Sequence, residues 1–280
     1  MATYASAMTS VDGSNTFSCS SAAWTTNQYT ASPNLVRIKS GSQTGRFFLV
    51  TANTATQITV NNGVYNLQTI LSGTDNFEIV PANTLATLFG TGTGSSPAVP
   101  FLTSSSSSTA DNIFVWNGTG WDTYFNNGTN WYKTSSLNNQ NNTIIYPDEA
   151  VFVLRRATST LPLIFQGVVP TTAEITDVFG PGATFISNRF PVDLTLASLG
   201  LSSLPNWQAG SSASQADDVF VWNGTGWDTY FFNGTHWMKS SSLSTQDSQP
   251  IPTNSGVFIK RLSNTSGTNS SLIQLLPYSL

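Results

Sequence analysis

One cysteine, Cys19, and one histidine, His236, are all this chain holds of two residue types on which much metal and nucleophilic chemistry depends. A lone cysteine excludes a disulfide framework and a thiolate metal site, and within its Ser-rich segment Cys19 is expected to be a small buried filler. A lone histidine excludes a multi-histidine metal site. Charge is also scarce. Only 9% of residues are charged, against roughly 25% in ordinary soluble proteins, so Ser, Thr, Asn and Gly take the surface role of Lys and Glu. Such a surface has little like-charge repulsion and favours close lateral packing. The net charge of −4 and pI near 4.7 exclude a nucleic-acid partner, which needs clustered Lys and Arg. The adjacent basic pairs Arg155-Arg156 and Lys260-Arg261 both end predicted strands and read as solvated termini. No apolar run of about 18 residues is present, so no membrane span is expected. Phosphate loops, dinucleotide fingerprints, nucleophile elbows and zinc-protease helices are likewise missing. The chain starts without a basic n-region or an apolar h-region, yet its composition resembles that of an exported protein, so an extracellular or cell-surface location is expected.

What the chain does contain is a duplication. Residues 111–137 and 217–243 coincide at an offset of 106 residues except at Asn112/Asp218, Ile113/Val219, Asn126/Phe232, Asn130/His236, Tyr132/Met238 and Thr134/Ser240. An internal repeat sets the architecture before any single residue is interpreted. In each copy, short β-branched and aromatic runs alternate with Asn-Gly-Thr turns, the signature of a hairpin extended into a three-stranded meander. A fourth strand follows at 150–156 and 256–262, with a partner run at 161–165 and 271–275. Upstream, 84–90 and 195–200 carry Leu at three-and-four spacing before a glycine, which predicts one short helix per repeat. The first 70 residues match neither copy and carry short strands at the spacing of sandwiches and small barrels. The expected fold is therefore all-β, made of tandem duplicated sandwich-like or barrel-like modules with aromatic meanders. Its expected segments are a strand-rich layer at 1–74 and repeat modules at 75–170 and 171–280.

The candidate ligand-contacting residues are the tryptophans of the meanders. Trp116, Trp121 and Trp131, with Trp222, Trp227 and Trp237, would stack sugar rings if they formed a flat platform, although period-two alternation assigns about half of the meander aromatics to a buried face. A glycan platform of this kind predicts at least two exposed, coplanar rings per meander. Carboxylates recur in both copies at Asp111/Asp217 and Asp122/Asp228, which favours a structural role over a single catalytic centre. Asp111 and Asp217 are expected to accept backbone bonds in the turn opening each meander, and Asp122 and Asp228 to lie outward. The adjacent Asp217 and Asp218 are the candidate for a calcium site; no other metal site and no cofactor is expected. His236 stands where the other copy has Asn130, which implies an exposed, turn-side position. Asn-x-Ser/Thr triplets occur at Asn117, Asn127, Asn141, Asn223, Asn233, Asn264 and Asn269, and those in the duplicated turns are explained by turn chemistry alone.

The block Asp-(Asn/Asp)-x-x-x-Trp-Asn-Gly-Thr-x-Trp-x-Thr-Tyr, at Asp111 to Tyr124 and Asp217 to Tyr230, resembles a repeat found in a family of secreted verrucomicrobial proteins. Similar features extend to 40–48 and to the Leu-Pro-Tyr-Ser-Leu run at 276–280. The resemblance implies export and a β-rich repeat, and no particular activity. The leading functional expectation is a non-enzymatic extracellular structural protein that self-associates into a filament or array, with the apolar segment 272–280 as strand donor or edge. Its alternatives are a carbohydrate-binding or adhesive surface protein, and a phage tail-fibre or capsid component.

Overall fold

A computed structural model describes residues 1–92, 94, 99–158, 160–161, 163, 167–262 and 270–279. The expected strand at 161–165 and the triplets at Asn264 and Asn269 fall wholly or largely outside these residues. The protein is all-β, as its alternating patterns predict, with multiple antiparallel sheets. It divides into two compact units, one formed by 1–84, 142–146 and 171–175, the other by 85–141, 147–170 and 176–280.

The first unit is built on β1 (Tyr4–Ala7), β2 (Ser10–Val11), β3 (Thr16–Ser18), β4 (Asn34–Ile38), β5 (Phe47–Asn53), β6 (Gln57–Asn61) and β7 (Asn76–Pro81). They form one sheet in the order β1-β7-β4-β5-β6-β3-β2. β1 and β2 are neighbouring stretches of chain, so the two edges of the sheet meet at Met8 and Thr9. There Met8 N donates to Asp75 O and Thr9 N to Ser18 O, and this meeting leaves little open edge for unwanted pairing. Inside lie Phe17, Cys19, Trp24, Val36, Ile38, Val50, Ile58 and Phe77. Cys19 is a buried free thiol, as expected. Arg37 pairs with Glu78 at 3.3 Å and with Glu174 at 2.5 Å. A single helical turn, α1 (Leu67–Ile70), is capped by the Asn66 side chain, which accepts from Gln68 N.

The second unit contains both copies of the meander. α2 (Leu85–Phe89) precedes the first and stops at Gly90, whose φ is +78°. The first sheet comprises β8 (Asn112–Trp116), β9 (Trp121–Asn126), β10 (Trp131–Lys133), β11 (Ser136–Asn139) and β12 (Val151–Leu154), in the order β11-β10-β9-β8-β12. After it come β13 (Glu174–Val178), β14 (Gly182–Ser187), β15 (Leu194–Thr195), β16 (Asp218–Trp222), β17 (Trp227–Phe232), β18 (Trp237–Lys239), β19 (Pro250–Ile251), β20 (Gly256–Arg261) and β21 (Ser270–Gln274). The second sheet runs β14-β20-β16-β17-β18, while β13 pairs with β21 and β15 with β19.

The two sheets share one register. Val115 faces Val151 and Val221 faces Val257, and Trp116 faces Trp121 as Trp222 faces Trp227. They differ at the margins. β11 is reduced in the second copy to a bridge between Met238 and Thr245, the equivalent of the Tyr132–Asn139 pairing. The short helix expected in each repeat forms only in the first. In the second, Leu199 N reaches Thr195 O at 2.9 Å, and Thr195 N and Ser198 N donate to the hydroxyls of Ser198 and Thr195. These reciprocal bonds form a capping box that starts one helical turn, and Gly200, at φ +77°, ends it at once and leads into a 3-10 turn at Leu201–Ser203.

Candidate functional site

Strand alternation sends the aromatics of each meander to two destinations. On one face, Ile113, Val115, Tyr124 and Trp131 are buried, with the Trp131 ring 6.0 Å from those of Phe89 and Phe101. The second copy buries Val219, Val221, Tyr230 and Trp237 with Leu196, Leu199, Leu201, Ile251 and Leu272. Trp131 and Trp237 are 0% and 1% exposed. Neither ring is available for stacking, because each one fills a core.

The opposite faces meet each other. Phe258 of the second repeat lies 4.8 Å from Trp116 and 5.9 Å from Trp121, while Phe152 of the first lies 5.0 Å from Trp222 and 6.1 Å from Trp227. Phe152 and Phe258 occupy the same register in their sheets, so the contact is reciprocal, as in an isologous dimer interface. Phe185 of β14 touches both Trp121, at 5.4 Å, and Trp227, at 6.2 Å. The Trp116 indole N–H donates to Ala183 O at 2.9 Å. Trp121, Trp222 and Trp227 keep 38%, 39% and 37% of their surface exposed. Within each meander, however, the paired rings are steeply crossed, at 72° for Trp116–Trp121 and 69° for Trp222–Trp227. This edge-to-face geometry suits aromatic packing and does not make a flat platform. Phe152, Phe185 and Phe258 were not singled out from sequence; the repeat offset carried the signal for Phe152 and Phe258.

The carboxylates are structural clasps. Asp217 is fully buried and accepts from Arg261 Nε at 3.1 Å, Gln208 N at 3.0 Å and Leu262 N at 2.9 Å. Asp111 does the same with Arg155 Nη1 at 2.8 Å, Leu102 N at 2.9 Å and Arg156 N at 2.6 Å. Each clasp closes the loop nine residues before the meander and also ties it to the end of the fourth strand. The basic residues expected to be solvated are partly drawn in, since the Arg261 side chain is 0% exposed. Asp217 therefore does not suit calcium: its oxygens are taken by N–H donors and a guanidinium stands beside it. Asp218 is buried, with Oδ1 unpartnered among the described residues. Burial pushes its carboxyl up to about 6, against a downward pull from Lys260 and a smaller upward push from Asp217.

Asp122 and Asp228 share a face with the core residues but sit at its rim, paired at 2.8 Å with Lys133 and Lys239. The Lys239 hydrogen bond holds the Asp228 carboxyl below the ordinary carboxylate range. His236 is exposed and its Nδ1 lies 2.6 Å from Asp247 Oδ2, which with the Trp237 N–H lowers the Asp247 pKa. The first copy puts Asn130 and Asn141 in those places, where Asn141 Nδ2 donates to Asn130 Oδ1 at 2.8 Å. The two positions have changed as a pair.

No family model, curated protein or solved structure matches this chain. The class its fold defines is an all-β protein with an internal two-sheet repeat joined through an aromatic interface.

Proposed function

We propose that this is a non-enzymatic extracellular structural protein that self-assembles through strand and apolar contacts between copies. The observation carrying this reading is the exposed apolar margin of the β13–β21 ribbon. β21 and the chain after it turn Leu272 and Gln274 inward, and leave Ile273 56% and Leu275 76% exposed. Phe179, following β13, is also exposed. A sheet margin with apolar outward side chains offers a surface on which another chain can pack. Low charge removes the usual repulsion between copies. The 272–279 segment packs on its own core through Leu272, Leu276 and Tyr278, which favours the edge role over the donor role. The duplicated carboxylates, arginines and aromatics are occupied by packing and clasp contacts, which supports a scaffold over an enzyme. Glycan binding calls for coplanar exposed rings, and the crossed tryptophan pairs weigh against it.

Light scattering and negative-stain imaging across a concentration series test the proposal. Growth of filaments or sheets is expected, together with its loss in a variant carrying both Ile273→Lys and Leu275→Lys. A wild-type chain that stays monomeric at high concentration would refute it.

A further inference from the structure

The two repeats serve as controls for each other, and one buried position differs in kind between them. In the first repeat Asn112 Oδ1 accepts from Arg156 Nη2 at 3.0 Å, and the same guanidinium donates to Ala110 O at 2.7 Å and to Ser107 O at 3.3 Å. In the second repeat the equivalent residues are Asp218 and Leu262. The amide has become a carboxyl and the guanidinium has been lost. Asp218 is 6% exposed, and its Oδ1 has no hydrogen-bond partner among the described residues.

The groups around it do not replace the missing donor. On β20, Lys260 is the cross-strand partner of Asp218, but it is exposed. The Arg261 guanidinium is committed to Asp217, Ser270 Oγ and the carbonyls of Pro205 and Asn206. On β16, Asp217 adds a second carboxylate. On β17 the partner is Phe231, which is apolar and buried. In the first repeat the Asn112 oxygen is satisfied by Arg156, though its amide nitrogen has no partner among the described residues, and the side chain stays neutral; an ionised carboxylate at Asp218 is a buried charge with an unsatisfied oxygen, which costs more than a neutral unsatisfied group.

We propose that Asp218 is a proton-operated latch on the second repeat: protonated and neutral, it is accommodated in the β16–β20 pair, and on losing its proton it loosens that pair while the first repeat stays unaffected. The folded-state pKa is raised, to about 6. The latch therefore contributes its stability in full below the ordinary Asp value of 3.8, and loses it as pH rises through about 6. The carboxylates with lowered values, Asp12, Asp228 and Asp247, act in the opposite sense and titrate below this window.

Denaturant unfolding of the full chain between about pH 4 and about pH 7.5, with hydrogen exchange read at β16–β20 and β8–β12, tests the latch. Wild type should lose stability with rising pH, up to about a hundredfold in the folding equilibrium constant, with exchange increasing at β16–β20 alone. Asp218→Asn should be flat across the window and more stable at the upper end. Leu262→Arg, which restores the guanidinium, should recover stability at the upper end while keeping the carboxyl. Parallel pH profiles for wild type and Asp218→Asn would overturn the proposal. So would an NMR titration of Asp218 with a midpoint near the ordinary Asp value, a readout that does not depend on whether either variant folds.

Discussion

Trp131 shows how one side chain fixes the edge of a core. Its indole N–H donates to Gly90 O at 2.7 Å in a buried setting, so the ring anchors the end of α2 as well as filling volume. Trp131→Phe keeps most of the apolar area but leaves that carbonyl without its donor, a loss expected at about 1–3 kcal/mol by urea unfolding. The Asp217 clasp carries more. Asp217→Asn leaves the fully buried Arg261 without its counter-charge, and breaking one side of such a pair costs about 3–5 kcal/mol. The measurable outcome is a large fall in the denaturation midpoint. Asp111→Asn should be milder, because Arg155 is partly solvated, its side chain being 25% exposed.

At the scale of elements, the repeated Asn-Gly-Thr turns work as small hydrogen-bonded units. Asn127 Oδ1 accepts from Thr129 N, Thr129 Oγ1 and Asn130 N at 2.9–3.0 Å, and Asn117 and Asn223 act alike on their own turns. Glycine is required within them: Gly118, Gly128, Gly224 and Gly234 all lie at φ between +95° and +103°. Asn117 also donates to Asp122 at 2.9 Å, joining the turn to the Asp122–Lys133 pair. Asn117→Ala should cost about 1–2 kcal/mol and Asn127→Ala about 1, an ordering that thermal unfolding of the two variants can check. These hairpins were legible in sequence because turn chemistry and two-residue alternation are local. The second short helix does not extend for an equally local reason: Leu spacing and the Thr195/Ser198 cap start one turn, while Gly200 in the left-handed region stops it.

At the scale of the whole molecule, the aromatic interface makes the two sheets of the second unit interdependent. Phe258 contacts Trp116, Trp121, Phe185, Phe220 and Trp227. Phe258→Ala should cost about 2–4 kcal/mol and uncouple the two repeats. A single cooperative unfolding transition in wild type should then separate into two in the variant by calorimetry; a single, merely shifted transition would count against this coupling role.

The sequence by itself determined the meander strands, their turns, the duplication and its register, because each is written in neighbouring residues or in a fixed offset; the strands at Glu174–Val178 and Gly182–Ser187 were not legible in it. It also determined that Cys19 would be buried and that half of the meander aromatics would point away from the other half. Only the tertiary structure decided where each half goes: Trp131 and Trp237 into separate cores, Trp116, Trp121, Trp222 and Trp227 against the phenylalanines of the opposite repeat, and Arg261 onto a buried Asp217. The reason is that periodicity assigns a side chain to a face, while what covers that face depends on contacts between segments about a hundred residues apart. The loss of a guanidinium beside Asp218 is written in the sequence as Leu262, but its meaning waits on the structure that places Arg156 against Asn112.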